Sequence, residues 1–160
     1  MTFEQSGNPG RRLRAAMIGG GANSFIGETH RIAMRADGLW ELVAGAFSRN
    51  PAVSQETAAA NLIAPDRVYT DVHELIAREK ARPDPVDAVV VATPPSSHRE
   101  IVAALLAADI HVICEKPVTT SLAEVGELAA LARGSRARFL STNCYSGYPM
   151  VRAARDLIRQ

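Results

Sequence analysis

Short apolar runs alternate with longer amphipathic stretches from Leu13 onward, and this alternation limits the possible folds more than any other feature of the sequence. The pattern is typical of parallel strands that are covered by helices on both faces of a sheet. The clearest run is Asp87–Ala92, in which alanines enclose three valines. The sequence therefore predicts an α/β fold with a doubly wound parallel sheet, and Asp87–Ala92 as its central strand.

Apolar runs, prolines and helix-capping residues together predict six strands and the helices that connect them. The predicted strands are Leu13–Ile18, Leu42–Phe47, Val68–Tyr69, Asp87–Ala92, Ile110–Cys114 and Arg138–Ser141. The predicted helices are Phe25–Ala36, Ala52–Leu62, Asp71–Ala81, Ser97–Ala107, one from Thr120 or Ser121 to Ala132, and one from Tyr148 onward.

Composition excludes several classes of partner. The 160 residues, 47% of them hydrophobic, fit one globular domain. A net charge of +1 gives no strong field for attracting nucleic acid or an anionic membrane. No apolar run approaches the roughly 20 residues that span a bilayer, and residues 1–10 lack the apolar region of a signal peptide. We therefore expect a cytoplasmic protein with neither nucleic acid nor membrane as a partner.

The two cysteines, Cys114 and Cys144, lie far apart in sequence and form no Cys-x-x-Cys pair. This spacing predicts neither a metal site nor a disulfide framework. Cys114 ends one predicted strand and Cys144 follows the neighbouring one, which could bring the two within disulfide distance. The expected reducing compartment favours two buried, free thiols instead.

A glycine-rich segment, Gly19–Gly27, joins the first predicted strand to the first predicted helix. Glycine at this point lets the backbone approach a pyrophosphate, and the N–H groups at the helix start attract its charge. The third glycine of the usual dinucleotide motif is replaced by serine, which indicates a lengthened loop. A plain turn is the alternative. The residues of this loop predicted to bind a coenzyme are Gly19, Gly21, Ser24, Phe25 and Ile26.

The end of the second predicted strand bears on which coenzyme is bound. An acidic residue there would bind the adenosine ribose of NAD, but the chain carries Ser48 and Arg49. A guanidinium without a neighbouring carboxylate can pair with a 2′-phosphate or stack on adenine. The sequence thus predicts NAD or NADP as the coenzyme and favours NADP, with a solvated Arg49 as the alternative.

Further motifs follow the glycine-rich segment in a fixed order. They are His30 on the first predicted helix, the turn Thr93–His98, the stretch Ala108–Pro117 and the Glu-Lys-Pro sequence that ends this stretch. This ordered set resembles the family of glucose-fructose oxidoreductase, inositol dehydrogenase and MocA-like proteins. The resemblance covers about Leu13 to Gln160 and implies a Rossmann-like NAD(P)-binding domain over residues 13–147.

The same resemblance implies a second domain that supplies the substrate pocket and the contacts of a homo-oligomer. We expect residues 1–12 to be a flexible leader and residues 148–160 to start the helix that leads to this second domain, which is absent from the chain. The implied activity is that of an NAD(P)-dependent dehydrogenase of sugars, inositol or other polyols, and the fragment alone should bind coenzyme without turnover. A glycoside hydrolase that uses NAD and a non-catalytic nucleotide-binding protein are the alternatives.

The chemistry of alcohol oxidation gives the Glu-Lys-Pro sequence its roles. Lys116 would bind the substrate oxygen and share in proton transfer, since burial and a positive nicotinamide both favour its neutral amine. Glu115 would hold the lysine through a charge-assisted hydrogen bond, and both Glu115 and Lys116 are also assigned to the coenzyme site. A cis bond between Lys116 and Pro117 would fix the turn.

Other residues of the turns after the strands complete the predicted site. Thr93 and Pro94 should line the nicotinamide ribose. His98 is assigned to the same coenzyme site, as a packing and capping residue rather than an acid or base. Asn143 and Tyr145 follow the last predicted strand and would reach a polyol substrate, with loop packing as the alternative.

Overall fold

A computed structural model describes residues 10–36 and 38–159. The described residues contain a sheet of five parallel strands in the order β2-β1-β3-β4-β5. The strands are β1 (Leu13–Gly19), β2 (Trp40–Ala46), β3 (Ala88–Ala92), β4 (His111–Cys114) and β5 (Phe139–Ser141). The helices are α1 (Phe25–Ala36), α2 (Pro51–Ala60), α3 (Val72–Lys80), α4 (His98–Ala107), α5 (Leu122–Gly134) and α6 (Pro149–Ile158). The predicted doubly wound α/β fold is confirmed.

The central strand β3 is buried along its whole length because both of its faces are covered. Val89 and Val91 belong to the apolar cluster that includes residues of α3, α4 and α5. Val90 faces the opposite way, into the cluster that includes residues of α1 and α2. Each buried valine contributes roughly 1.5–3 kcal/mol relative to exposure, so the apolar run identified in the sequence anchors both layers.

The order of the strands places the site. The chain moves outward from β1 to β2 and then crosses back to β3 on the other side of β1. In open parallel sheets, ligands bind outside the carboxyl ends of the strands where the order reverses in this way. Gly19 at the end of β1 pairs in register with Ala92 at the end of β3. The glycine-rich loop and the Thr93–His98 turn therefore leave the sheet side by side.

The predicted strand Val68–Tyr69 is not a strand of the sheet. Val68 forms only an isolated parallel bridge with Gly45, and Tyr69 donates its backbone N–H to the carbonyl of Gly45. A short 3₁₀ helix, Pro65–Arg67, immediately precedes this bridge and leaves too few extended residues for a ladder.

The interpretation of both cysteines as buried thiols is right for one and wrong for the other. Cys114 ends β4 and is fully buried, and burial raises the pKa of its thiol to about 12. Cys144 is exposed because it begins a short 3₁₀ turn, Cys144–Gly147, on the surface. Both thiols are free.

The described chain is attached to the sheet near its N-terminal end and exposed at its C-terminal end. Residues 1–9 of the predicted leader lie outside the described residues, but Arg11 forms two hydrogen bonds to Asp87, at 2.7 and 2.8 Å. The end of the leader is therefore attached to the segment that enters β3. The last helix, α6, begins at Pro149, one residue after the predicted start at Tyr148, and is exposed throughout. Among the described helices, none combines the length and apolarity needed to cross a bilayer.

A cluster of buried polar side chains lies beside α3. Glu79 is 1% exposed and accepts hydrogen bonds from the Arg67 guanidinium at 2.7 Å and from the Tyr69 hydroxyl at 2.6 Å. Its carboxylate also accepts the backbone N–H of Val86 at 3.0 Å. Burial and the carboxylate of Glu79 raise the pKa of Tyr69. The cluster ties α3 to the segments before and after it.

Candidate coenzyme site

The glycine-rich loop turns where only glycine fits. Gly19 and Gly20 have φ angles of 77° and 69°, in the left-handed region that favours glycine. A Cβ atom on Gly19 would lie 2.7 Å from the carbonyl oxygen of Ala92. One on Gly27 would overlap the carbonyl oxygen of Gly20. Gly27 therefore provides the close packing of helix on strand that the third glycine of the usual motif provides.

The start of α1 is arranged to receive an anion. Ser24 caps the helix, because its Oγ accepts the backbone N–H of Gly27 at 3.1 Å. Within the described part of the chain, the backbone N–H groups of Phe25 and Ile26 have no hydrogen-bond partner. Such N–H groups and the helix dipole favour a pyrophosphate at this point. Neither Phe25 nor Ile26 lines the cleft described below, and the ring of Phe25 is 87% exposed, so these residues would contribute only their backbone N–H groups.

Two buried side chains that the sequence analysis did not select support the loop from behind. The Oγ1 of Thr57 accepts the backbone N–H of Ala22 at 2.9 Å. The guanidinium of Arg31 donates to the carbonyl oxygen of Gly20 at 2.6 Å and is almost fully buried. A threonine among alanines and an arginine on an amphipathic helix are weak signals, because surface residues give the same pattern before the fold is known.

The carboxyl ends of β1, β2 and β3 enclose a cleft of about 730 Å³. This volume lies within the roughly 300–1,000 Å³ that is usual for ligand sites. The predicted residues that line the cleft are Gly19, Ser24, Ser48, Arg49, Thr93 and Pro94. Gly21, Glu115 and Lys116, which were also predicted to bind the coenzyme, do not line the cleft. The lining residues that the sequence analysis did not select include Thr70, Asp71, His73 and Glu100.

The cleft carries charged groups beyond the end of β2. Arg49 is exposed, and its side chain has no partner among the described residues. Asp71 caps α3, and hydrogen bonds from the backbone N–H groups of Glu74 and His73 lower its pKa. Asp71 is thus committed to the helix, whereas the guanidinium of Arg49 is free to pair with a phosphate.

His98 lies beneath the cleft and does not line it. It is fully buried, with Nε2 at 2.7 Å from the carbonyl oxygen of Thr93 and Nδ1 at 2.9 Å from that of Pro117. A direct coenzyme contact by His98 is therefore wrong, because no part of the ring is accessible. The ring packs as predicted and joins the turn after β3 to the turn after β4, but it does not cap α4, which has no side-chain cap at its start.

The Lys116–Pro117 peptide bond is cis, as predicted. Lys116 itself is exposed, so the described residues do not supply the burial that was predicted for its amine. Because Pro117 is held from below through its carbonyl oxygen, the turn presents Lys116 outward at the carboxyl edge of the sheet. There the lysine can meet a ligand that enters from outside this domain.

The predicted hydrogen bond between the Glu115 carboxylate and the Lys116 ammonium is absent from the described contacts. Glu115 is 8% exposed, and its Oε1 lies 2.8 Å from Nε2 of His30 and 2.7 Å from Oγ1 of Thr142. Its Oε2 accepts the backbone N–H of Lys116 at 3.2 Å. The carboxylate thus holds the main chain of the lysine rather than its side chain. Nothing in the sequence pattern indicated Thr142, and the motif that includes His30 did not predict this contact.

The two predicted substrate residues lie on the surface beyond β5. Asn143 is exposed, and its carbonyl oxygen accepts hydrogen bonds from Ser146. Tyr145 is 67% exposed and packs edge-on against Tyr148, with ring centroids 5.4 Å apart. Neither residue lines the cleft. Their contact with a substrate stays a prediction.

The fold and the loop together define a dinucleotide-binding domain with the architecture of an NAD-binding Rossmann fold. Residues 13–143 match the family described as the oxidoreductase family with an NAD-binding Rossmann fold, Gfo/Idh/MocA. The chain belongs to this family. The resemblance based on the ordered motifs is confirmed.

Several relatives are similar over almost the whole chain. An uncharacterized oxidoreductase, YfiI of Bacillus subtilis, is 37% identical over 92% of this chain and 38% of its own length. An oxidoreductase from Sinorhizobium meliloti has a TM-score of 0.86 and 43% identity, covering 93% of this chain and 41% of its own. An inositol dehydrogenase homolog from Azotobacter vinelandii, in complex with NAD+, has a TM-score of 0.90 and 39% identity over 94% of this chain and 39% of its own. The chain thus spans about two fifths of these relatives.

Proposed function

We propose that this chain is the coenzyme-binding domain of a dehydrogenase that transfers a hydride between a polyol, such as inositol, and a nicotinamide coenzyme. The observation that carries the proposal is the shared location of two turns. The glycine-rich loop and the Lys116–Pro117 turn both leave the carboxyl edge of the sheet, on either side of the Thr93 turn. The same inositol dehydrogenase homolog is known in complex with NADH and myo-inositol, which supports this class of substrate.

Different residues of the chain would bind different parts of the coenzyme. The N–H groups at the start of α1 would bind the pyrophosphate, and Thr93 and Pro94 would border the nicotinamide ribose. The coenzyme, when bound, supplies the hydride acceptor. Lys116 would hold the substrate hydroxyl and take part in moving its proton. A substrate domain in the intact protein would complete the pocket around this lysine.

The experiment that tests this function has two arms. The 160-residue chain should bind NAD or NADP in calorimetry and give no reduced coenzyme with myo-inositol or other polyols. The intact protein should reduce the coenzyme, and Lys116→Ala should lower its kcat by on the order of 10²–10⁴-fold. Turnover by the chain alone, or a normal rate in the lysine variant, would reject the assignment. Glycoside cleavage without net coenzyme reduction would support the hydrolase alternative.

We further propose that NADP binds more tightly than NAD. The support is the free guanidinium of Arg49, next to Ser48, where a carboxylate would otherwise bind the ribose hydroxyls of NAD. Arg49→Ala should weaken NADP about 5–30-fold, as for loss of a charge-assisted hydrogen bond, and leave NAD within about twofold. Calorimetry with both coenzymes measures the ratio. An unchanged ratio would show that the arginine is merely solvated.

A cytoplasmic location and a homo-oligomer stay predictions for the intact protein. Cell fractionation tests the location. Light scattering on the purified intact protein tests the assembly, and a monomer at all concentrations would contradict it.

A further inference from the structure

The carboxylate of Glu115 is a junction between separate parts of the domain. One oxygen contacts His30 on α1 and Thr142 just after β5, and the other accepts the backbone N–H of Lys116. His30 is 85 residues from Glu115 in sequence, and Thr142 is 27 residues away. The position of the Lys116 turn is therefore set partly by a helix and a strand end that it does not adjoin in sequence.

The contact between His30 and Glu115 is sheltered from solvent. The side chains are 13% and 10% exposed, and the ring nitrogen lies 2.8 Å from the carboxylate oxygen. Little water reaches the carboxylate of Glu115. Loss of the contact with His30 would therefore leave a buried acceptor partly unsatisfied, which costs free energy. The contact joins a ring nitrogen of His30 directly to the carboxylate that accepts the backbone N–H of Lys116.

The helix that carries His30 is also the helix that begins at the glycine-rich loop. His30 lies in α1, whose first turn presents the unpaired N–H groups of Phe25 and Ile26. A helix of this length is a rigid element. A side chain on α1 that holds Glu115 therefore fixes the Lys116 turn relative to the proposed pyrophosphate site.

We propose that His30 is a positioning residue for Lys116, which it reaches through the carboxylate of Glu115. This inference rests on the proposed function of Lys116. Without His30, the turn loses its connection to α1, and the lysine is displaced from the reacting end of the coenzyme. A displacement of about 1 Å can lower a rate about 100-fold. Binding of the adenosine end, which Ser48 and Arg49 after β2 would hold, should be unaffected.

The variant of His30 should still fold, because the turn keeps its other anchors. The backbone N–H of Glu115 donates to the carbonyl of Val91 at 3.0 Å, and His98 still holds Pro117 at 2.9 Å. Thr142 also retains its contact with Glu115. The variant should therefore keep the sheet folded and lose only the position of Lys116.

The first test uses the 160-residue chain and hydrogen exchange measured by NMR. His30→Ala should speed exchange of the Lys116 amide by about tenfold or more, since its acceptor becomes mobile, and leave AMP affinity within about twofold. His111→Ala is the matched control, because His111 lies at the opposite end of β4, where its Nδ1 accepts the backbone N–H of Arg138. It should leave the Lys116 amide unchanged. Unchanged exchange in His30→Ala would overturn the proposal.

The second test uses kinetics of the intact protein. His30→Ala should lower kcat on the order of 10–100-fold with little change in the KM for coenzyme. It should have almost no further effect when combined with Glu115→Gln or with Lys116→Ala, because residues that act through one another are not additive. His30→Gln, which keeps an N–H donor, should recover part of the rate. An undiminished effect of His30→Ala in the Lys116→Ala background would overturn the proposal.

The two tests separate failure of this inference from failure of the proposed function. If the intact protein oxidises no polyol, the proposed function is wrong, and the exchange rate of the Lys116 amide alone decides whether His30 positions the turn. If the protein is an active dehydrogenase and His30→Ala leaves kcat unchanged, the function stands and the role of His30 is rejected.

Discussion

Glu79 and Glu115 are both buried carboxylates, but they serve different parts of the molecule. Neither carboxylate lines the cleft, and Glu79, which is 1% exposed, lies in the middle of a polar cluster beside α3. Glu115 is 8% exposed and stands at the carboxyl edge of the sheet, directly before the lysine proposed to meet the substrate. The comparison shows that burial of a charge does not by itself identify a functional residue.

The partners of the two carboxylates explain the difference. Glu79 is bound by the guanidinium of Arg67, at 2.7 and 3.1 Å, and by further donors from residues close to it in sequence. It therefore balances a buried cation and fixes a local segment. Among the described residues, Glu115 has no arginine partner, and it receives its donors from α1, from the end of β5 and from its own turn. It therefore sets the relative position of distant elements.

The largest expected effect is a loss of unfolding free energy on substitution of Glu79, greater than the loss expected for Glu115. Glu79→Ala should lower the free energy of unfolding by about 3–5 kcal/mol, because it leaves the guanidinium of Arg67 buried without its main counter-charge. Urea denaturation of the chain measures this loss. A change below about 1 kcal/mol would show that the cluster is not a major source of stability. Coenzyme affinity of the molecules that remain folded should be unchanged.

A smaller effect is expected for the carboxylate at the edge of the sheet. Glu115→Gln keeps the size of the side chain but weakens its hydrogen bonds, and should cost about 1–3 kcal/mol of unfolding free energy. Unlike a change at Glu79, it should also speed hydrogen exchange at the Lys116 amide. If Glu79→Gln altered that amide equally, the two carboxylates would not have the separate roles described here.

The smallest effect concerns a third carboxylate, at the surface. The hydrogen bond from Arg11 lowers the pKa of Asp87, so the folded value lies below the unfolded value of about 3.9. The stabilisation is complete above the unfolded pKa and is lost as the pH falls through the folded one. Arg11→Ala should therefore reduce stability at pH 6 but have little effect at the acidic end of a urea series. Arg12→Ala is the adjacent control, and an equal loss there would contradict the pairing.

The sequence predicts those parts of the fold that depend on local pattern. The helix Phe25–Ala36 is found with the predicted bounds, and the strand predicted at Leu13–Ile18 extends by one residue to Gly19. Both follow from apolar spacing and from the glycines between them. Val68–Tyr69 was predicted as a strand from the same apolar signal, but two residues cannot form a ladder, and the preceding 3₁₀ helix limits their extension.

The sequence predicts the candidate site only where a short motif requires a particular backbone conformation. The glycines and the cis Lys116–Pro117 bond belong to short segments whose chemistry needs a particular backbone. The partner of Glu115 could not be predicted in this way, because His30 approaches it only after α1 has packed on the sheet. Glu79 likewise falls on a helix where an acidic residue is normally solvated.

The proposed site requires that the glycine-rich loop binds the pyrophosphate of a coenzyme whose nicotinamide end reaches Lys116. It is tested most directly by NMR of the 160-residue chain during titration with NAD and NADP. The account predicts that the amide signals of Gly19 and Lys116 shift together with a single dissociation constant, whereas AMP shifts signals around Ser48 and leaves Lys116 unmoved. A folded chain whose glycine-loop and Lys116 signals do not respond to either coenzyme would contradict it.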